Sequence, residues 1–215
     1  TDTGARTVTG DASLASFTLT TGTIGSNDTD LIFASNDVAI NLAGTAATND
    51  TVNIMVDNEA ALTVSGNDID NITLTASNND ATVTVNVVDS TKVAYTIAGD
   101  NDIMLKGVTT ELSGSSFTNS GTGDVGLTLT TAGAADLRGF GVLADGITTD
   151  KTGTYTLEVA SGNTVTNTND GANFALDAND AVTDSSSVTV VLTNDSGTLD
   201  FTAYETVTID TDDSR

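Results

Sequence analysis

Apolar and polar residues alternate along most of this chain with a period of two residues. In segments such as 71–75 (NITLT) and 81–86 (ATVTVN), small or β-branched residues occupy nearly every position. This period is typical of a β-strand with one buried face, and Thr and Val favour strands. The pattern predicts strands at 17–20, 51–56, 61–64, 71–75, 81–88, 92–97, 126–130, 154–159, 187–192 and 205–209.

Asn, Asp, Gly and Ser interrupt the alternation. Asn-Asp dipeptides recur at these breaks, for example at 67–68, 79–80 and 101–102. Their side chains satisfy backbone groups in turns, so they mark the ends of strands. Between residues 51 and 108 the predicted strands begin about every ten residues, and the apolar positions hold small aliphatic residues. We therefore expect an all-β, β-solenoid (β-helix-like) fold with short strands, with β-sandwich domains as the alternative.

Two segments depart from this pattern and suggest how the chain is organised. Segment 113–126 (SGSSFTNSGTGDVG) is rich in Gly and Ser and is a candidate loop or boundary. It would separate a β-rich domain at 1–112 from a second one at 127–215. Segment 131–149 loses the alternation, and one helical turn is expected at 134–138 (AADLR).

The amino-acid composition argues against an enzyme. The chain has 215 residues and contains no His, Cys, Trp or Pro. Without His there is no imidazole base, and without Cys or His the usual zinc, copper and haem sites cannot form. An Asp/Glu pair of the glycosidase kind remains chemically open, but only four Glu are present and aromatic residues make up 4%. We expect a non-enzymatic protein.

The charge of the chain is strongly negative. Thirty acidic residues face six basic ones, giving a net charge of −24. Such a surface repels nucleic acid and anionic membranes. The chain contains no run of about 20 apolar residues, which is the length that a helix needs to span a bilayer. A cation is therefore a more natural partner than a polyanion.

The acidic turns are candidate calcium ligands. Calcium takes six to eight hard oxygens from carboxylates, amide carbonyls and backbone carbonyls. For any single turn the simpler explanation, that Asn and Asp only shape it, competes with this one. The candidate clusters are Asn67, Asp68 and Asp70; Asn78, Asn79 and Asp80; Asp100 and Asp102; and Asp177, Asn179 and Asp180.

The segment 197–210 (GTLDFTAYETVTID) resembles repeats in surface-layer (S-layer) proteins of Gram-negative bacteria that are exported by type I secretion and often bind calcium. The strand at 71–75 echoes its second half. The resemblance implies a secreted, structural protein of the cell surface that self-assembles with calcium. Its partners would be copies of itself or neighbouring domains of the same protein, with cell-surface polysaccharide as a further candidate.

Two other functions remain open at this point. One is an adhesin stalk or carbohydrate-binding module of a large exported protein, which would need aromatic side chains clustered in a groove. The other is ice binding by stacked Thr-x-Thr steps, which would need the same spacing on successive turns. Such steps occur at residues 18/20, 73/75, 82/84, 128/130, 154/156 and 206/208.

Overall fold

The computed structural model divides the chain into two compact units. The first comprises residues 1–106 and 116–124, and the second comprises 107–115 and 125–215. The structure describes residues 6–10, 16–18, 29–33, 38–43, 51–56, 61–67, 69–76, 80–88, 92–168, 172–178, 187–192 and 196–211.

The first unit contains two parallel sheets whose strands alternate along the chain. The first sheet has the order β1-β3-β5-β7-β9-β11, and the second runs β2-β4-β6-β8-β10. The strands are β1 (Arg6–Gly10), β2 (Ser16–Thr18), β3 (Thr29–Phe33), β4 (Val38–Ala43), β5 (Thr51–Val56), β6 (Ala61–Asn67), β7 (Asn71–Ala76), β8 (Ala81–Val88), β9 (Ala94–Gly99), β10 (Ile103–Gly107) and β11 (Ser116–Asn119).

The second unit repeats this arrangement after one short helix, α1 (Thr109–Leu112). Its strands follow the orders β12-β14-β16-β18-β20 and β13-β15-β17-β19, again in parallel. They are β12 (Val125–Leu129), β13 (Gly133–Asp136), β14 (Ile147–Thr149), β15 (Thr154–Glu158), β16 (Thr164–Asn167), β17 (Ala172–Asp177), β18 (Ser187–Leu192), β19 (Ser196–Thr202) and β20 (Thr206–Thr211).

This topology is that of a parallel β-solenoid, which confirms the expected fold class. Each strand pairs with the next strand but one, so the chain returns to the same sheet once per turn. The six-stranded sheet of the first unit takes one strand from each of six successive turns. The β-sandwich alternative is wrong, because sandwiches are built from antiparallel strands.

Because apolar and polar residues alternate along each strand, side chains of the same kind stack in columns from strand to strand. A column is a set of positions in register on successive strands of one sheet. In β7 and β9, Ile72 and Tyr95 form one buried column and Leu74 and Ile97 form another. In the second unit, Tyr155 stacks on Phe174 with 5.5 Å between ring centroids. Each buried residue therefore packs against its equivalent one turn away, which suits small aliphatic and flat aromatic side chains.

The two irregular segments differ in detail from the sequence expectations. Segment 113–126 contains strand β11 and the first residues of β12. The helical turn expected at 134–138 is wrong, because Ala134–Asp136 belong to β13 and pair with β15. A 3-10 turn follows at Arg138–Phe140. None of the helices in the described ranges is long and apolar enough to cross a membrane.

Candidate functional site

Three aspartates lie on successive turns of the first unit, at the corner that leads into the sheet of β8 and β10. Each directly precedes an apolar residue that begins a strand: Asp80 before Ala81, Asp102 before Ile103 and Asp124 before Val125. The backbone N–H of Ala81 donates to the Asp102 carbonyl oxygen at 2.8 Å, and the N–H of Ile103 donates to that of Asp124 at 3.0 Å. We call Asp80, Asp102 and Asp124 the aspartate column.

Two carboxylates of this column, those of Asp80 and Asp102, bond to the backbone of the following turn. Asp80 Oδ1 accepts a 3.1 Å hydrogen bond from the Asp102 N–H, and Asp102 Oδ1 accepts a 2.7 Å bond from the Asp124 N–H. Each bond spans 22 residues, which is one turn of the solenoid. The other carboxylate oxygen, Oδ2, has no protein partner in the part of the chain that the structure describes, and Asp80 and Asp124 are exposed.

The same corner is closely packed around glycine. A Cβ atom added to Gly121 would overlap the carbonyl oxygen of Gly99, and one added to Gly99 would overlap that of Ala76. Beside them, Thr122 Oγ1 donates to Asp100 Oδ1 at 2.9 Å. The distance between successive turns at this corner is therefore set by direct backbone contact. The Asp100 side chain lies at this same corner, along the edge that holds the aspartate column.

The structure brings together some of the predicted calcium ligands and separates others. Asp80 and Asp102 were predicted in different clusters, and they meet across one turn. Asp70 lies before β7, where its carbonyl oxygen accepts a 2.7 Å bond from the Ala94 N–H. Asn67 ends β6, whereas Asp68, Asn78, Asn79, Asn179 and Asp180 lie outside the described residues.

Asp177 has a different environment, in the second unit. It is in register with Glu158, which is in register with Asp136, so three acids share one column on β13, β15 and β17. The Arg138 side chain forms two hydrogen bonds with Asp136, from Nε to Oδ1 at 2.9 Å and from Nη2 to Oδ2 at 2.8 Å, and the backbone N–H of Arg138 donates a third to Oδ1 at 3.1 Å. Its Nη2 also lies 2.8 Å from Glu158 Oε2.

This pairing shifts the ionisation of the groups involved. The hydrogen bond from Arg138 lowers the pKa of Asp136 below its ordinary value, against an opposing effect of burial. In return, the hydrogen bond to Asp136, with the nearby charges of Glu158 and Asp177, raises the pKa of Arg138. The positive charge of Arg138 interacts with the three carboxylates of Asp136, Glu158 and Asp177. This column of acids therefore keeps a net negative charge.

The described residues do not by themselves build a complete metal site. Among them, no three Asp or Glu side chains converge closely enough to hold one ion. In the aspartate column, neighbouring strands lie about 4.8 Å apart, so free oxygens of adjacent carboxylates could share a cation. The remaining ligands of a calcium ion would then be backbone carbonyls, water or oxygens of another chain.

Asp124 was not among the sequence-predicted ligands, although the sequence carries a signal for it. Asp80, Asp102 and Asp124 recur at 22-residue intervals, and each precedes an apolar strand start. The search for Asn-Asp dipeptides missed Asp124 because Gly123 precedes it. In a solenoid, the interval of one turn is a better guide to neighbours than the dipeptide itself.

Threonines form columns that differ from the Thr-x-Thr steps of the sequence. Thr18 lies on β2, and Thr20 lies outside the described residues. The other steps lie on β7, β8, β12, β15 and β20, with Thr130 directly after β12, and no two of these six strands are neighbours in a sheet. The columns instead join threonines one turn apart. They are Thr73 with Thr96 and Thr118, Thr128 with Thr148 and Thr166, and Thr164 with Thr189 and Thr208.

Fold and site together define the class of this protein: a parallel β-solenoid with acidic turns stacked one above another. Comparison with protein-family models, with curated proteins and with solved structures finds no match to this chain.

Proposed function

We propose that this chain is a structural element of an extracellular surface layer, resembling the S-layer proteins of type I secretion, and that calcium binds at its acidic turns. The aspartate column is the observation that carries the proposal. Its carboxylates repeat at the spacing of one solenoid turn, and no Lys or Arg pairs with them among the described residues. Like charges at this separation repel, and a divalent cation between them removes the repulsion.

The incomplete ligand set favours assembly over an isolated calcium site. Among the described residues, fewer than three Asp or Glu side chains come together at this corner, whereas calcium needs six to eight oxygens. Acidic turns of a neighbouring copy, or of a neighbouring domain, would complete the shell and join two negatively charged surfaces. Calcium then acts as the link between subunits, which salt bridges cannot provide in a chain with six basic residues.

The placement of the aromatic side chains supports a structural role over carbohydrate binding. Tyr95, Tyr155, Phe140 and Phe174 are buried, so these four are unavailable as the exposed stacking platform that a sugar site requires. Phe117, Phe201 and Tyr204 are half-buried. The absence of His and Cys from the sequence likewise supports a non-enzymatic role.

A calcium titration tests the proposal. We expect millimolar calcium to raise the melting temperature more than sodium chloride at the same ionic strength, and to produce assemblies visible by light scattering and electron microscopy. A chelator should return the chains to monomers. Equal effects of calcium and sodium would show general screening only. A chain that stays monomeric at high concentration with and without calcium would contradict the proposed assembly.

A further inference from the structure

The sheet that contains β5, β7, β9 and β11 has an outer face without charged side chains on these four strands. On β7, Ile72 and Leu74 are buried, and Thr73 lies between them on the outer face. The register of the neighbouring strands places their alternate residues on the same face. The outward residues of the four strands are Thr51, Asn53, Met55, Asn71, Thr73, Thr75, Ala94, Thr96, Ala98, Ser116 and Thr118. We call this set of residues the uncharged face.

The outer face of the sheet formed by β13, β15, β17 and β19 has the opposite character. It carries Asp136, Glu158, Asp177 and Asp200, and Arg138 pairs with the first two of these acids. Two copies of such a face repel at contact, because the Debye length at physiological ionic strength is about 8 Å. The chain as a whole carries a net charge of −24. The uncharged face is therefore a surface on which two copies meet without this repulsion.

The side chains of the uncharged face suit packing against another sheet. Thr73, Thr96 and Thr118 are in register on neighbouring strands, and each offers a methyl group for packing and a hydroxyl group for hydrogen bonding. Met55, in register with Thr75, is 38% exposed. Sheets with repeated side chains in register and little charge form close face-to-face contacts. The residues of this face include no aromatic side chain, so they lack the stacking platform that a sugar ligand requires.

We propose that the uncharged face binds the uncharged face of a second copy of this chain, sheet against sheet. Because both copies use the same surface, the contact is two-fold symmetric. No carboxylate belongs to the uncharged face, so the contact needs no cation, unlike the aspartate column. It rests on the self-association proposed above, and it adds a second surface through which neighbouring copies meet.

The size of the uncharged face makes this contact a secondary one. Four strands about 4.8 Å apart, with about five residues of 3.3 Å each, cover roughly 300 Å². Specific complexes bury about 800 Å² per partner, so this area gives a weak contact on its own. Calcium links at the acidic turns hold neighbouring copies close together, and the weak contact then forms at high effective concentration. We therefore expect monomers in chelator and face-to-face pairs within the calcium assembly.

A pair of aspartate variants of the full chain tests the contact. Thr73→Asp places a carboxylate on the uncharged face, whereas Thr156→Asp places one at an exposed outward position in the middle of β15. Each variant adds one negative charge, so general repulsion between copies rises equally in both. We expect Thr73→Asp to raise the protein concentration needed for assembly in calcium at least about tenfold, because the contact brings like charges together. Light scattering measures this concentration, and Thr156→Asp should stay near wild type.

Circular dichroism and the melting temperature of the monomer in chelator establish that both variants fold. Asp is unfavourable within a strand in both cases, so the two substitutions are matched in this respect also. Equal assembly by Thr73→Asp, Thr156→Asp and wild type would overturn the contact between uncharged faces while leaving calcium-dependent assembly intact. Failure of the wild type to assemble under any condition would overturn both proposals.

Crosslinking of cysteine variants tests the same contact without adding charge, because the natural chain has no Cys. Packed sheets lie about 10 Å apart, so a bismaleimide of about that span joins thiols on facing sheets. We expect a covalent dimer of Thr73→Cys in calcium but not in chelator, and little dimer from Thr156→Cys in either. Dimers from Thr156→Cys but not from Thr73→Cys would overturn the assignment. Binding of the wild type to dextran that is lost in Thr73→Asp, with no Thr73→Cys dimer, would assign the face to a neutral sugar and overturn the contact between copies.

Discussion

The backbone N–H of Asp124 donates a 2.7 Å hydrogen bond to Oδ1 of Asp102, one solenoid turn earlier in the chain. The bond fastens one turn to the next outside the strands, and it occupies one carboxylate oxygen, while the other has no partner within the described part of the chain. Asp102 therefore has a structural role that is independent of any metal, and its second oxygen is the part available to a cation. These two roles can be separated by substitution.

Substitutions at Asp102 should affect stability and calcium binding differently. Asp102→Ala removes the acceptor for the Asp124 N–H, and we expect a loss of about 1 kcal/mol in the free energy of unfolding in chelator. Asp102→Asn keeps an oxygen acceptor and should stay close to wild type in chelator, but it should shift the calcium midpoint of the thermal stabilisation upward. Urea unfolding with and without calcium measures both effects. An unchanged calcium midpoint in Asp102→Asn would remove this residue from the ligands.

Packing at the corner predicts a large effect of adding one methyl group at Gly121. Its Cβ would overlap the Gly99 carbonyl oxygen, which belongs to the backbone and can move only with its whole turn. We expect Gly121→Ala to cost about 1–3 kcal/mol of unfolding free energy. Gly107→Ala is the matched control, because its Cβ would meet Leu112 Cδ1 at 2.8 Å, the end of a flexible side chain. Chemical denaturation should show the smaller loss at Gly107; the reverse order would contradict this account.

The ion pair of Arg138 should make stability depend on pH in the acid range. Arg138 lowers the pKa of Asp136 in the folded state. The ion pair therefore contributes fully to the free energy of unfolding above the ordinary pKa of 3.8, and this contribution is lost as the pH falls through the lowered pKa. Both side chains are 38% exposed, so we expect Arg138→Gln to cost less than about 1 kcal/mol at pH 7.

Unfolding of the wild type and Arg138→Gln at pH 7 and pH 2 measures this difference, which should shrink at pH 2 and in high salt. Lys151→Gln serves as the control, because Lys151 Nζ lies 3.7 Å from Asp150 and its side chain is 60% exposed. It should show little effect at either pH. A difference for Arg138→Gln that persists at pH 2 would point to lost packing of the side chain rather than lost charge.

Tyr204 should titrate later than an ordinary tyrosine. Burial, with a smaller effect from the charge of Asp177, raises its pKa from 10.0 to about 12, while its hydroxyl donates to the Val159 carbonyl oxygen at 3.0 Å. The fold favours the neutral phenol, so this contribution to stability is present below pH 10 and is lost as the pH rises towards 12. Burial also raises the pKa of Tyr155, so the difference between the ultraviolet titrations of the wild type and Tyr204→Phe isolates the phenol that titrates near pH 12. Asp177→Asn should lower that pKa; an unchanged titration in both variants would contradict the assignment.

Half of the described strands could be predicted from the sequence. The ten predicted segments overlap β2, β5, β6, β7, β8, β9, β12, β15, β18 and β20, whereas β1, β3, β4, β10, β11, β13, β14, β16, β17 and β19 were not predicted. The predicted bounds of β5, β8 and β18 agree with those of the structure, because alternation and β-branched residues specify a strand within its own few residues. The β-solenoid fold was likewise expected from the short, evenly spaced strands, and the structure shows that its strands pair in parallel. The helical turn expected at 134–138 was wrong, since Ala134 and Ala135 have no strong local preference for a strand and are held in β13 by pairing with β15; the 3-10 turn at Arg138–Phe140 follows this strand.

The sequence by itself determined where half of the described strands form and that the chain is acidic, because these depend on the residues present and on their nearest neighbours. Only the tertiary structure decided which residues meet across a turn. Alternation repeats every two residues and is satisfied by many registers, so it does not reveal that Asp102 lies between Asp80 and Asp124, or that Arg138 joins Asp136 to Glu158. The number of residues in one complete turn sets which residues become neighbours. That number depends on how the corners pack, for example on the close contact between the backbones of Gly121 and Gly99.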